Sequence, residues 1–176
     1  MRFIKEKKII NPGQKINFFN NIVSTFFYSG YIPKASGTFG SLVAILFFII
    51  PGFYSKVFLS VIILILFFVS LFTVPQLIKK YGNDPSVVVV DEAVGMWISV
   101  NIVAYVITIF PPFYVLLISF LTFRFFDIIK IPPANYFDKM KNSFGVMMDD
   151  VIAGIYSGVL TVLILYTLKY FGVFIW

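Results

Sequence analysis

The chain has 176 residues, of which 60% are apolar, 20% aromatic and only 12% charged, whereas a soluble domain carries roughly one-quarter charged residues, so a water-soluble globular fold is excluded as the default. It holds neither Cys nor His, which removes disulfides, thiolate and imidazole metal ligands, cysteine nucleophiles and histidine acid–base chemistry. Its net charge of +6 comes from 14 Lys and Arg against 8 Asp and Glu, and every acid except Glu6 falls between Asp84 and Asp150.

The pattern predicts an all-α protein: a polytopic membrane helical bundle of about five membrane segments in one domain over 1–176, behind an N-terminal amphipathic segment at 1–29. In that segment Ile16, Phe19, Ile22, Val23, Phe26 and Phe27 recur at three- and four-residue spacing, while Asn17, Asn20, Asn21, Ser24 and Thr25 fill the other face. Such a helix lies in the headgroup layer or packs on the bundle. The next apolar run, Leu42 to Ile50, needs Thr38 to Phe53 to reach about 24 Å, and predicts a short first span or a re-entrant arm. Val57 to Val74, Val94 to Phe110, Phe113 to Phe126 and Val151 to Leu168 read as further spans of a roughly 30 Å hydrocarbon core. Pro51-Gly52, Gly82-Asn83-Asp84-Pro85, Pro111-Pro112 and Pro132-Pro133 separate them.

Five crossings place residues 1–41, 75–93 and 124–150 on one face. That face carries every Lys and Arg except Lys56 and Lys169, so by the positive-inside rule it is cytoplasmic and the C-terminus is outside. The basic excess then reflects topology and attraction to an anionic lipid membrane; nucleic-acid binding explains it poorly.

Four polar segments converge on that face. Pro33 to Ser41 contains Ser36, Gly37, Thr38, Gly40 and Ser41, hydroxyls and flexible backbone that suit phosphate oxygens at a helix start, although a cap and turn have the same composition. Asp84 to Gly95 places Asp84, Asp91 and Glu92 ahead of an apolar span; on one helix with Pro85 in its first turn, Asp84 and Asp91 share a face. Arg124, Asp127 and Lys130 follow at spacing three, either an ion-pair string or interior-facing functional charges. Asp138 precedes Asp149-Asp150, a pair that opens the last span and that a helix dipole alone would also favour.

Carboxylates with Arg and Lys, and no softer ligand, select hard cations such as Mg²⁺, Mn²⁺ or Ca²⁺. Mg²⁺ neutralises phosphoryl oxygens and acidifies bound water, so phosphate-ester chemistry on a lipid headgroup uses all the parts. A small transporter would place charges mid-span; a headgroup transferase shares the metal logic, but its DG-x-x-A-R signature is missing.

The SGTFGS core of residues 36–41, DPSVVVVDEAVGMW at 84–97, RFFDIIKIPPANYFD at 124–138 and GVMMDDVIAG at 145–154 together resemble the phosphatidylglycerophosphatase A family. The resemblance implies a Mg²⁺-dependent enzyme of the bacterial cytoplasmic membrane that hydrolyses the terminal phosphate of phosphatidylglycerophosphate. It places Asp84, Asp91, Glu92, Asp127, Asp138, Asp149 and Asp150 on the family's acidic motif positions, with Arg124 and Lys130. Cluster position adds the roles: the seven acids as metal ligands, Asp91, Glu92, Asp127 and Asp150 among them as catalytic groups, and Arg124, Lys130 and the 36–41 loop for phosphate.

Overall fold

A computed structural model describes residues 9–83, 85–106 and 112–172. Among them the chain forms seven α-helices and no strand: α1 (Phe18–Ser24), α2 (Ser36–Leu46), α3 (Lys56–Tyr81), α4 (Val90–Val106), α5 (Phe113–Ile129), α6 (Ala134–Asp138) and α7 (Ser143–Tyr170). Single 3-10 turns occupy Ser29–Tyr31 and Phe47–Ile49. The all-helical expectation holds. Two helices, α3 with 26 residues and α7 with 28, are long and apolar enough to cross a membrane. At 1.5 Å per residue α4 and α5 reach only about 25 Å and α2 is shorter still; the expected end of the third run, at Phe110, lies outside the described residues.

Helix α3 runs beyond the end of its apolar run at Val74, through Pro75, to Tyr81, and stops at the expected Gly82 turn. Proline leaves the carbonyl four residues earlier without its helical donor, here that of Leu71. The Ser143 hydroxyl, at the start of α7, donates to that carbonyl at 3.1 Å. The helix therefore continues through Pro75, and its freed acceptor ties it to α7. Lys79 and Lys80 sit in its last turn, where positive charge complements the helix dipole.

In the N-terminal segment the helix is seven residues long, and both faces contribute to the interior: Ser24, Thr25 and Phe26 are buried while Asn17, Phe18, Phe19 and Phe27 are exposed. Hydrogen bonding allows the two hydroxyls inside. Ser24 meets Thr73 of α3 at 3.0 Å, and the Thr25 hydroxyl donates to the Asn21 carbonyl and accepts from the Tyr28 amide, which stabilises a turn in which Phe26, Phe27 and Tyr28 all have positive φ. Residues 85–89 depart from expectation. The helix begins at Val90, and the preceding residues form a turn closed by Val88 N–H to Pro85 C=O. Val89 N–H bonds the Ser24 carbonyl instead; β-branched residues fit such packing better than a helix. Asp84 lies outside the described residues.

Helix α4 is the buried centre, packed most extensively on α7 and also on α2 and α3. Trp97 donates from Nε1 to the Ala44 carbonyl at 2.9 Å and sits among the rings of Phe26, Phe47 and Phe53. Around this centre the outer row of α3, including Val57, Val61, Leu64, Phe68 and Phe72, is exposed. At the α4–α7 crossing the backbones touch. A Cβ at Gly95 would stand 2.6 Å from the Asp150 carbonyl and 2.5 Å from the Phe123 ring, and one at Gly154 would strike the Gly95 carbonyl. Neither obstacle is a flexible side-chain end, so Gly154→Ala is expected to cost about 1–3 kcal/mol of stability through overpacking. Gly13→Ala, whose Cβ meets only an ordinary contact, should change stability by less than about 0.5 kcal/mol. Thermal unfolding in detergent compares the two.

Candidate active site

Three helices each deliver one carboxylate to a common point. Glu92 comes from the first turn of α4, Asp127 from the last turn of α5 and Asp150 from the eighth position of α7. One oxygen from each lies within 4.8 Å of the others. Arg124, one turn before Asp127, pairs with Glu92 through Nη1 and with Asp127 through Nη2 at 3.1 Å. All three side chains of that pairing are largely buried, as is Asp150. Helix α2 brings its first turn against the same pair. A side chain at Gly37 would collide with the Glu92 carboxylate and approach Arg124 Nη1, so the absent Cβ lets backbone reach the charges. Ala35 precedes the helix in the left-handed region and no side chain caps it.

A second charged group adjoins the first. Lys130 ends α5 with φ 51°, which turns it off the helix, and its ammonium pairs with Asp138 of α6 and with Asp149 of α7 at 2.6 Å. Burial draws the Lys130 pKa down, but the attraction of Asp149 and the hydrogen bonds to Asp138 and Asp149 outweigh it and raise it. The side chain stays charged at neutral pH.

The expected residues are therefore distributed in two connected sets. Glu92, Asp127 and Asp150 meet around Arg124; Asp138 and Asp149 meet around Lys130; Asp91, whose Oδ1 accepts the Glu92 N–H, stands beside the first set. Arg124 and Lys130, expected at phosphate, are each held by carboxylates. Ser36 donates to the Ser86 carbonyl at 2.6 Å, and Ser41 donates to the Gly37 carbonyl and lies 3.4 Å from Glu92 Oε2. Gly40 packs on Val89, and Thr38 lies one residue beyond Gly37 in the first turn of α2. The spacing argument for Arg124, Asp127 and Lys130 holds for the first two alone. The dipole explanation of Asp149-Asp150 fails, because α7 starts at Ser143 and the dipole acts within the first turn.

Among these described residues six carboxylates face two cations. A phosphate would add further negative charge to this end. Three converging oxygens without nitrogen or sulfur fit a hard divalent ion. Sequence reasoning missed the Gly37 approach to Glu92 and the glycine contact that sets α4 against α7; the three- and four-residue spacing of Gly154, Ser157, Gly158 and Thr161 was the available sign of close helix packing.

Fold and site together define an all-helical protein, with helices able to cross a membrane, built around a carboxylate and arginine centre. The family model for phosphatidylglycerophosphatase A matches residues 22–165. The chain belongs to that family and is a phosphatase enzyme of its type. It is 34% identical over 167 residues to phosphatidylglycerophosphatase A of Haemophilus influenzae, covering 91% of this chain and 96% of that protein. The Escherichia coli protein of the same name is 29% identical, covering 78% of each. A Bacteroides thetaiotaomicron protein with the provisional name phosphatidylinositol-3-phosphatase is 36% identical, over 82% of this chain and 92% of that protein. No solved structure matches significantly.

Removing the Lys130 charge leaves Asp138 and Asp149 facing each other and the triad. Lys130→Met should lower stability by about 1.5–3 kcal/mol, the range for a hydrogen bond to a charged group, measured by unfolding in detergent; an unchanged midpoint would show that the bridge is not formed.

Proposed function

We propose that the protein hydrolyses the terminal phosphomonoester of phosphatidylglycerophosphate in a Mg²⁺-dependent reaction, giving phosphatidylglycerol and inorganic phosphate. The observation that carries this reading is the meeting of Glu92, Asp127 and Asp150 beside Arg124 at the first turn of α2. Glu92, Asp127 and Asp150 would hold the ion, and Asp91 and Asp149 adjoin Glu92 and Asp150 in sequence. Bound Mg²⁺ would neutralise phosphoryl oxygens and lower the pKa of a water. The first-turn amides of α2, at Gly37 and Thr38, face the phosphate as helix N-termini commonly do, and Arg124 and Lys130 balance its charge. Asp127 orients the attacking water. The water oxygen bonds to phosphorus, the bond from phosphorus to the glycerol oxygen breaks, and that oxygen leaves with a proton as the free alcohol.

The same reading places the protein in the bacterial cytoplasmic membrane as a multi-pass protein with about five membrane segments, its site on the cytoplasmic face. It is supported by the two long apolar helices, the exposed apolar rows and the clustering of basic residues near the charged end. A second substrate, a phosphatidylinositol 3-phosphate, is favoured by the name of the Bacteroides relative.

Purified protein assayed in micelles with short-chain forms of both lipids separates these readings. The expected result is phosphate release from phosphatidylglycerophosphate that requires Mg²⁺ and stops with a chelator. Asp127→Asn should reduce it by about a hundredfold or more, the usual scale for loss of an acid–base group. Release that ignores the chelator would overturn the metal's role, and a preference for the inositol lipid would reassign the substrate.

A further inference from the structure

About two helical turns from the carboxylates, the hydroxyls of four residues from α4, α5 and α7, Ser99, Thr122, Ser157 and Thr161, form one buried group, to which Ser119 adds its carbonyl. Ser99, Ser119, Ser157 and Thr161 have no exposed surface, and Thr122 very little. Ser157 Oγ lies 2.7 Å from Ser99 Oγ and 2.7 Å from Thr122 Oγ1, and Thr122 Oγ1 lies 2.8 Å from Thr161 Oγ1. Thr122 also reaches the Ile118 carbonyl at 2.9 Å. Each hydroxyl has one proton. Every proton of these four hydroxyls has an acceptor when Ser99 donates to Ser157, Ser157 to Thr122, Thr161 to Thr122 and Thr122 to Ile118 C=O, and the Ser119 carbonyl, 3.1 Å from both Ser157 Oγ and Thr122 Oγ1, is a further acceptor in the group.

The helices joined in this way are the three that carry the triad. On α4, Glu92, Gly95 and Ser99 follow at spacings of three and four; on α7, Asp150, Gly154 and Ser157 follow at four and three. Seven residues return to nearly the same helix face, so on both helices carboxylate, glycine and hydroxyl form one stripe. Helix α5 runs back with Asp127, then Phe123 against Gly95, then Thr122 and Ser119. The glycine contact fixes the separation of α4 and α7 but leaves sliding and rotation open. A hydrogen-bonded hydroxyl at 2.7 Å on each helix restricts both.

We propose that Ser157 and Thr122 are positioning residues that hold Glu92, Asp127 and Asp150 in ion-binding register. The inference rests on the metal-dependent reading above. Thr122→Val removes the hydroxyl at nearly constant volume, Thr122→Ser restores it, and Ser157→Ala removes the link to α4. Mn²⁺ binding, followed by electron paramagnetic resonance of purified protein in detergent, reports the site without turnover; phosphate release supplies kcat and KM, and thermal unfolding reports the fold.

Thr122→Val and Ser157→Ala should each weaken Mn²⁺ binding and lower kcat by about tenfold, the lower end for loss of an outer-shell partner, with KM for the lipid within about twofold, and Thr122→Ser should recover both. Folded variants with wild-type Mn²⁺ affinity and kcat would overturn the proposal. So would variants that do not fold at all, because the hydroxyls would then be purely structural. Wild-type protein that neither binds Mn²⁺ nor releases phosphate would instead sink the phosphatase reading on which the proposal stands.

Discussion

The contact of Gly95 with Gly154 governs the rest of the molecule. At that point the backbones of α4 and α7 meet with no side chain between them, and the helices cannot approach so closely with any other residue. Glu92 lies one turn from Gly95 and Asp150 one turn from Gly154, so close backbones mean close carboxylates. Two buried acids on adjacent helices are unfavourable when each faces an apolar surrounding alone. Brought together, they lie in the field of Arg124, which pairs with Glu92 and attracts Asp150. Phe123 fills the remaining space over Gly95 and carries Asp127 on the next turn of α5, which completes the triad from a third direction.

Charge separates the protein into two regions with different physics. The outer surfaces of α3, α5 and α7 are apolar and exposed, stable against hydrocarbon and not against water. One end holds six carboxylates against Arg124 and Lys130. Without His or Cys, that end can offer a metal only hard oxygen ligands, and its carboxylates outnumber its cations. The two fixed cations play unequal parts: Arg124 stands inside the triad, whereas Lys130 brackets Asp138 and Asp149 and thereby anchors α6 and the start of α7 to α5.

Much of this was legible in the sequence because it follows from composition and order. The helical class came from apolar run length, and the convergence of four polar segments came from placing Ser36, Asp91, Asp127 and Asp150 at the same ends of successive runs. Boundaries were less legible. The apolar run of α3 ends at Val74, but a tertiary bond from Ser143 to the Leu71 carbonyl compensates Pro75 and the helix continues to Tyr81; no local signal announces a partner 72 residues away. The burial of Ser24 and Thr25 has the same origin: they are polar in sequence yet buried, because Thr73, the Asn21 carbonyl and the Tyr28 amide satisfy them. Lys130 left the predicted helix face through one left-handed residue.

The register of α4 against α7 can be tested directly, since the chain has no cysteine of its own. Ser99→Cys combined with Ser157→Cys replaces two hydroxyls 2.7 Å apart with thiols at a separation a disulfide can span. Mild oxidation of the protein in its membrane, followed by mass spectrometry, should show near-complete loss of two hydrogens and one linked peptide pair, while Ser99→Cys with Leu163→Cys, on the exposed side of α7, should remain reduced. Absence of the first link, or an equal yield of the second, would contradict the arrangement on which the whole site depends.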